Sequence, residues 1–158
     1  MAEKHTISCL VENHFGVLAR VSGLISARAF NIDSLTVSTT EDPTISRMTV
    51  VVDADAQKLE QVKAQLGRFI DVIDVQELKD GQFLDRELLL ARVGANGAAR
   101  AELEGLAKEF GAKLAASNDR GVVIEATGDT KTLDRLVERL KPHGITQIVR
   151  TGRVALEK

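Results

Sequence analysis

Aromatic residues are scarce in this chain of 158 residues, which has five Phe and neither Trp nor Tyr. A βαββαβ module that reads RNA places stacking aromatic side chains on its first and third strands. The corresponding segments of this chain, 7–11 and 47–52, contain no aromatic residue. The net charge of −2 also provides no broad basic field for nucleic acid or for an anionic membrane surface. We therefore predict no nucleic-acid partner and no membrane partner.

Cysteine is almost absent as well. The single Cys9 excludes an internal disulfide and the pair of thiols that a copper chaperone needs. It alternates with Ile7 and Val11, as a core residue of a strand does. His5, His14 and His143 have no metal-ligand spacing among themselves or with Cys9, so we predict no metal site and place His14 in a solvated turn.

Long apolar runs and catalytic motifs are also missing. No stretch approaches 18 consecutive apolar residues, and no basic segment followed by an apolar run begins the chain, so we expect a cytoplasmic protein. No phosphate-binding glycine pattern occurs, because Gly16 is followed by Val17 and Leu18. Nothing resembles a nucleophile with its base. We predict no catalytic residues, no cofactor in this chain and no enzymatic activity of its own.

Hydrophobic spacing predicts six elements in residues 1–80, in the order βαββαβ. In the first helix Leu18, Val21 and Ile25 recur at helical spacing. The elements are strand 6–12, helix 17–29, strands 31–40 and 45–53, a helix capped by Asp55, and strand 70–78.

The same order returns after a predicted linker at 79–85. The elements are strand 87–93, helix 98–110, strands 113–117 and 122–127 joined by a hairpin turn, a helix capped by Asp129, and strand 145–149. The predicted fold class is therefore α+β, with two tandem ferredoxin-like βαββαβ units at 1–80 and 81–158. Each unit has an antiparallel sheet covered on one face by two helices.

The connection between the first strand and the first helix is the strongest candidate for a site. The first amide groups of a helix have no partner within the helix, and that end carries about half a positive charge, so a small carboxylate is favoured there. Gly16 lets a ligand approach the main chain closely. On these residues alone, a plain strand-to-helix turn at 13–16 remains the alternative.

Three segments of the first unit closely resemble the regulatory (small) subunit of acetolactate synthase, also called acetohydroxyacid synthase. Residues 13–21, NHFGVLARV, are similar to the signature of ACT domains in general. Residues 29–37, AFNIDSLTV, and 42–49, DPTISRMT, are similar to strings more particular to this subunit. The resemblance extends over essentially the whole chain, and it implies that the first unit is an ACT domain for effector binding and dimerisation.

The resemblance implies a non-catalytic subunit that binds and stimulates a large catalytic subunit and confers feedback inhibition by valine or another branched-chain amino acid. That partner would use thiamine diphosphate, Mg and FAD to join two pyruvates into acetolactate, the first shared step of valine, leucine and isoleucine biosynthesis. A homodimer through the ACT domains is implied too. The alternative is a free-standing ACT-type amino-acid sensor that controls a different enzyme or a transcription factor.

The family resemblance also implies the effector-binding residues, which two subunits would share. One wall would come from one chain and the facing wall from its partner. The first wall comprises Asn13, Phe15, Gly16, Val17 and Leu18, and the second Asn31 and Ile32. Two residues depart from the family pattern: Phe15 stands where proline or a small residue is common, and Ala29 where a glycine usually ends the helix.

Overall fold

A computed structural model describes residues 3–27, 31–94 and 97–158 of the chain. The described helices and strands follow one another in the predicted order, with one additional strand after the last predicted one. They are β1 (Glu3–Glu12), α1 (Val17–Ala27), β2 (Asn31–Thr39), β3 (Ile45–Ala54), α2 (Ala56–Leu66), β4 (Val72–Leu78), β5 (Phe83–Val93), α3 (Gly97–Phe110), β6 (Lys113–Asn118), β7 (Gly121–Gly128), α4 (Thr130–Leu140), a 3₁₀ turn (Lys141–His143), β8 (Ile145–Arg150) and β9 (Val154–Glu157).

The chain folds into two units whose limits differ from the predicted ones. Unit 1 comprises Met1–Leu84 together with Arg153–Lys158, and unit 2 comprises Asp85–Gly152. The predicted boundary between 80 and 81 thus lies four residues early, and the predicted second domain loses its last six residues to unit 1. The predicted linker at 79–85 is also shorter, because β5 already begins at Phe83.

Unit 1 has an antiparallel sheet in the order β2-β3-β1-β4. Alternate residues of β1 and β3 point to one face, where they form a core with α1 and α2. The buried positions of α1 are Val17, Val21 and Ile25, while Leu18, which we expected in the same stripe, is 46% exposed. Asp55 caps α2 as predicted, since its Oδ1 accepts the Lys58 amide at 2.8 Å. The predicted end of α1, with Ala29, lies outside the described residues.

The opposite face of this sheet is polar and yet buried. Thr6, Ser8 and Thr49 are each 3% exposed. The Arg153 guanidinium donates to Thr6 Oγ1 at 2.6 Å, and Ala155 of β9 is 8% exposed. The segment Arg153–Lys158 is part of unit 1 and is held there by side-chain hydrogen bonds and by a backbone bond from the Lys158 amide to the Gln82 carbonyl at 2.9 Å.

Unit 2 repeats the architecture with the strand order β6-β7-β5-β8. Its core joins alternate residues of β5 and β7 to the apolar faces of α3 and α4. Asp129 caps α4 through the Thr132 amide at 2.7 Å, as predicted. The predicted hairpin turn is also present, and Gly121 is needed there: its φ is +117°, and a Cβ would lie 2.1 Å from the Val93 carbonyl oxygen. Within the described ranges, no helix is long and apolar enough to cross a membrane.

Cys9 lies in the core of unit 1 with no exposed surface. Burial, together with the nearby Asp74 carboxylate, raises the pKa of its thiol to about 12. Because the thiolate is the reactive form, we expect iodoacetamide to leave Cys9 unmodified in the folded chain at pH 8 and to alkylate it in guanidinium chloride. Mass spectrometry of timed samples measures this. Alkylation of the folded chain at the rate of the unfolded chain would contradict the placement of Cys9.

Candidate functional site

The turn between β1 and α1 is bonded to two neighbouring segments. The Glu12 amide donates to the Asp71 carbonyl at 2.8 Å, and the Asn13 amide donates to the Thr44 carbonyl at 2.7 Å. The first helical bond of α1 runs from the Arg20 amide to the Gly16 carbonyl at 3.1 Å. The amides of residues 17–19 precede that bond and so have no acceptor within the helix. The fold therefore holds the helix N-terminus in a defined position.

Gly16 has the backbone conformation that the predicted site requires. Its φ is +86°, where a residue with a side chain is strained, and a Cβ built on it would have no atom within 4 Å. The space that a side chain of Gly16 would enter is thus open. A carboxylate can approach the first amides of α1 at this point.

Asn13 lies beside this space and is oriented by the loop at residues 40–44. Its Nδ2 donates to the Pro43 carbonyl at 2.9 Å, so Oδ1 is the side-chain atom that can accept from an ammonium group. The loop is itself ordered by Asp42, whose Oδ1 accepts the Thr44 amide at 2.8 Å. The string at 42–49, which carried much of the resemblance, thus supplies the carbonyl that positions Asn13.

The three remaining predicted residues of this wall have different environments. The Phe15 side chain is fully exposed in the single chain. Leu18 is 46% exposed and is available for an apolar ligand contact. Val17 is 3% exposed and its side chain packs in the core, so it can offer only its backbone.

Asn31 and Ile32 lie away from that wall within one chain. They begin β2, which follows α1, whereas Asn13 and Gly16 precede α1. An eleven-residue helix is roughly 16 Å long, at about 1.5 Å per residue. Asn31 is exposed and its Nδ2 donates to Asp33 Oδ1 at 3.1 Å, while Ile32 packs partly against the core. One chain therefore does not bring the two predicted walls together.

A cluster of charged side chains beside the turn was not predicted. His14 Nε2 lies 3.2 Å from Glu12 Oε2 and 2.9 Å from Asp71 Oδ1, and Arg20 Nη2 lies 2.6 Å from Asp71 Oδ2. The hydrogen bond between His14 and the Phe15 carbonyl is the largest factor raising the pKa of His14, and the Asp71 carboxylate raises it further. Asp71 is 7% exposed and ties the turn to the start of β4.

The comparisons with known proteins decide the family. The small subunit of acetolactate synthase from Haemophilus influenzae is 39% identical over 98% of this chain and 96% of its own length. The small subunit from Mycobacterium leprae is 43% identical over 98% of this chain and 91% of its own. This chain belongs to the acetolactate synthase small subunit family.

Family models and a solved structure agree with that assignment. The model of the AHAS small subunit-like ACT domain matches residues 7–74, and the model of the small subunit of acetolactate synthase matches residues 86–158. The crystal structure of the small subunit from Thermotoga maritima superposes with a TM-score of 0.87 at 30% identity, covering 99% of this chain and 98% of that one. The predicted family and the predicted α+β fold are confirmed. The chain is a regulatory subunit of acetolactate synthase with an ACT domain in unit 1.

Proposed function

We propose that this small subunit has no catalytic activity of its own, binds and stimulates the large catalytic subunit, and makes it sensitive to valine or another branched-chain amino acid. Thiamine diphosphate, Mg and FAD would be held by that partner. Membership of the family supports a large-subunit partner. The match of unit 2 to the small-subunit family model speaks against a free-standing sensor.

The effector site is proposed to form between the ACT domains of a homodimer. The observation that carries this proposal is the position of the two walls, at opposite ends of α1. A twofold axis that sets α1 beside its copy in the opposite direction would place Asn31 and Ile32 of one chain against the turn of the other. The backbone amides would receive the effector carboxylate and Asn13 Oδ1 its ammonium.

The energies suit a feedback sensor. Burying a valine side chain yields about 1.5–3 kcal/mol, and a helix N-terminus adds about 0.3–2 kcal/mol for a carboxylate. Because binding of this strength is weak, the occupancy of the site can rise and fall with the amino-acid concentration. A coupling of about 1–3 kcal/mol between effector and subunit arrangement would give ordinary allosteric control.

Calorimetry together with sedimentation tests the proposal. The full chain, alone and with the large subunit, is titrated with valine, leucine and isoleucine, and its oligomeric state is measured at the same concentrations. We expect a dimer that binds one effector per chain, since a twofold axis creates two equivalent sites. A monomer that binds the effector, or a dimer that binds none of the three, would contradict the shared site.

A further inference from the structure

Glu12, His14 and Asp71 bring one nitrogen and two oxygen donors together at the surface of unit 1. Each offers one ligand atom, and these atoms all lie within 4.8 Å of one another. Two of the pairs are closer, at 3.2 Å and 2.9 Å. Tetrahedral zinc with bonds of about 2.0–2.2 Å separates its ligand atoms by roughly 3.3–3.6 Å, so these two pairs would have to open by less than about 1 Å.

The backbone holds these donors in place. Glu12 ends β1, and its amide donates to the carbonyl of Asp71 at 2.8 Å, so two of the three ligands are joined directly. The neighbouring residues Val11 and Val72 are paired in the sheet, and this pairing also keeps Glu12 close to Asp71. His14 is two residues further along the bonded turn. A cation would meet a site whose main chain is already in position.

Two neighbouring contacts orient the donor atoms. His14 Nδ1 lies 3.3 Å from the Phe15 carbonyl oxygen, to which a protonated Nδ1 donates. Nε2 is the atom directed at the carboxylates, and a bound cation would replace the proton that Nε2 shares with them. Arg20 Nη2 lies 2.6 Å from Asp71 Oδ2, so the other carboxylate oxygen, Oδ1, is directed toward His14. Ring nitrogens and carboxylates of metal sites are commonly fixed by such outer hydrogen bonds.

We propose that Glu12, His14 and Asp71 form a binding site for a zinc-class divalent cation, with water completing the coordination. The ring nitrogen favours Zn²⁺ over Mg²⁺ and Ca²⁺, which prefer oxygen ligands alone. Three protein ligands with one open position are an arrangement that zinc adopts in proteins. Glu12 and His14 are half exposed, so a cation can enter from solvent. Spacing among histidines and cysteine does not reveal this site, because two of its ligands are carboxylates.

Equilibrium dialysis of the full chain against ZnCl₂, with the metal quantified, tests the site. We expect about one zinc per chain, retained in the presence of excess MgCl₂. His14→Gln and Glu12→Gln should each weaken binding by about 10-fold or more, because each removes a direct ligand. Both side chains are exposed, so the variants should keep the wild-type circular dichroism spectrum.

His5→Gln is the matched control, since His5 Nδ1 also lies beside a carboxylate, Glu77 at 3.2 Å, but His5 belongs to no three-donor group among the described residues. Its zinc affinity should equal that of the wild type. Zinc binding that survives His14→Gln unchanged, that is lost in His5→Gln, or that MgCl₂ removes equally well would overturn the proposal. So would a wild-type chain that retains no zinc. None of these readouts uses an amino-acid effector, so they do not depend on the effector site.

Discussion

The Gly16→Asp variant is expected to lose binding of branched-chain amino acids. Its carboxylate would occupy the open space beside the first amides of α1, where the effector carboxylate is proposed to lie. Two like charges 4 Å apart repel by about 4 kcal/mol at an effective dielectric constant of ~20, which corresponds to a roughly 1,000-fold loss of affinity. Calorimetry with valine, leucine and isoleucine measures the loss.

Two control variants separate charge from backbone strain. Gly16→Ala introduces no charge and meets no atom within 4 Å, but it holds an alanine at φ +86° at a cost of about 1–2 kcal/mol. Gly81→Asp places the same carboxylate at an exposed glycine outside α1 that also has a positive φ, +83°, and no atom within 4 Å of its Cβ. Both should retain measurable effector binding. If Gly16→Asp binds the effector as well as Gly81→Asp does, the site lies elsewhere.

Mixing two defective chains tests whether the site is shared. Gly16→Asp damages the turn wall, and Asn31→Ala damages the wall that begins β2. In a mixed dimer, the intact turn of the Asn31→Ala chain would face the intact Asn31 of the Gly16→Asp chain. We therefore expect binding to return when the two variants are unfolded and refolded together. Continued absence of binding in verified mixed dimers would contradict a site built from both chains.

The second large effect is expected at the polar face of the unit 1 sheet. Ala155 is 8% exposed and lines a cavity of about 270 Å³ with Arg47 and Thr49 of β3. Ala155→Lys would bring a second cation next to Arg47 and displace β9. An unpaired buried charge costs about 3–5 kcal/mol, so protection of β3 amides against hydrogen exchange should fall steeply.

Val154→Lys provides the matched control for Ala155→Lys. Val154 is the neighbouring residue of β9 and is 47% exposed, so a lysine there keeps its charge in water. We expect wild-type exchange rates in unit 1 for this variant. Unit 2 amides should be unaffected in both variants. Equal protection of β3 in the two variants would show that β9 contributes little to the stability of this sheet.

The order of the elements and the starts of α2 and α4 followed from local features of the sequence, whereas β1, β4 and β5 begin at residues 3, 72 and 83 and not at the predicted 6, 70 and 87. Alternation in β1 and β3, and spacing of three and four in α2 and α4, directly report which side is buried. Asp55 and Asp129 precede apolar helical spacing, and each caps its helix. Leu18 was placed in the buried stripe because it fits helical spacing as well as Val17 does, and only packing against the sheet decides between them.

Features that depend on distant contacts were missed. β9 is only four residues long, and its contacts in unit 1 are distant in sequence: Arg153 donates to Thr6, 147 residues away, and the Lys158 amide donates to the Gln82 carbonyl. Asp71 joins Glu12 and His14 only because β4 pairs with β1. The predicted βαββαβ order places the start of β4 beside the end of β1, so that order already implies that Asp71 lies close to Glu12. The proposed effector site, with one wall from each chain, came only from the family resemblance, because local sequence features do not show how two chains associate.

Unit 1 is discontinuous, because its last six residues follow unit 2 in the chain. Arg153–Lys158 leave the ribosome after all of unit 2, so the N-terminal sheet emerges and pairs its strands while the cover for Thr6 is still untranslated. During that interval the polar face of the unit 1 sheet is exposed to solvent. Nascent chains arrested before residue 153 should therefore be digested by protease in the N-terminal unit more readily than released chains.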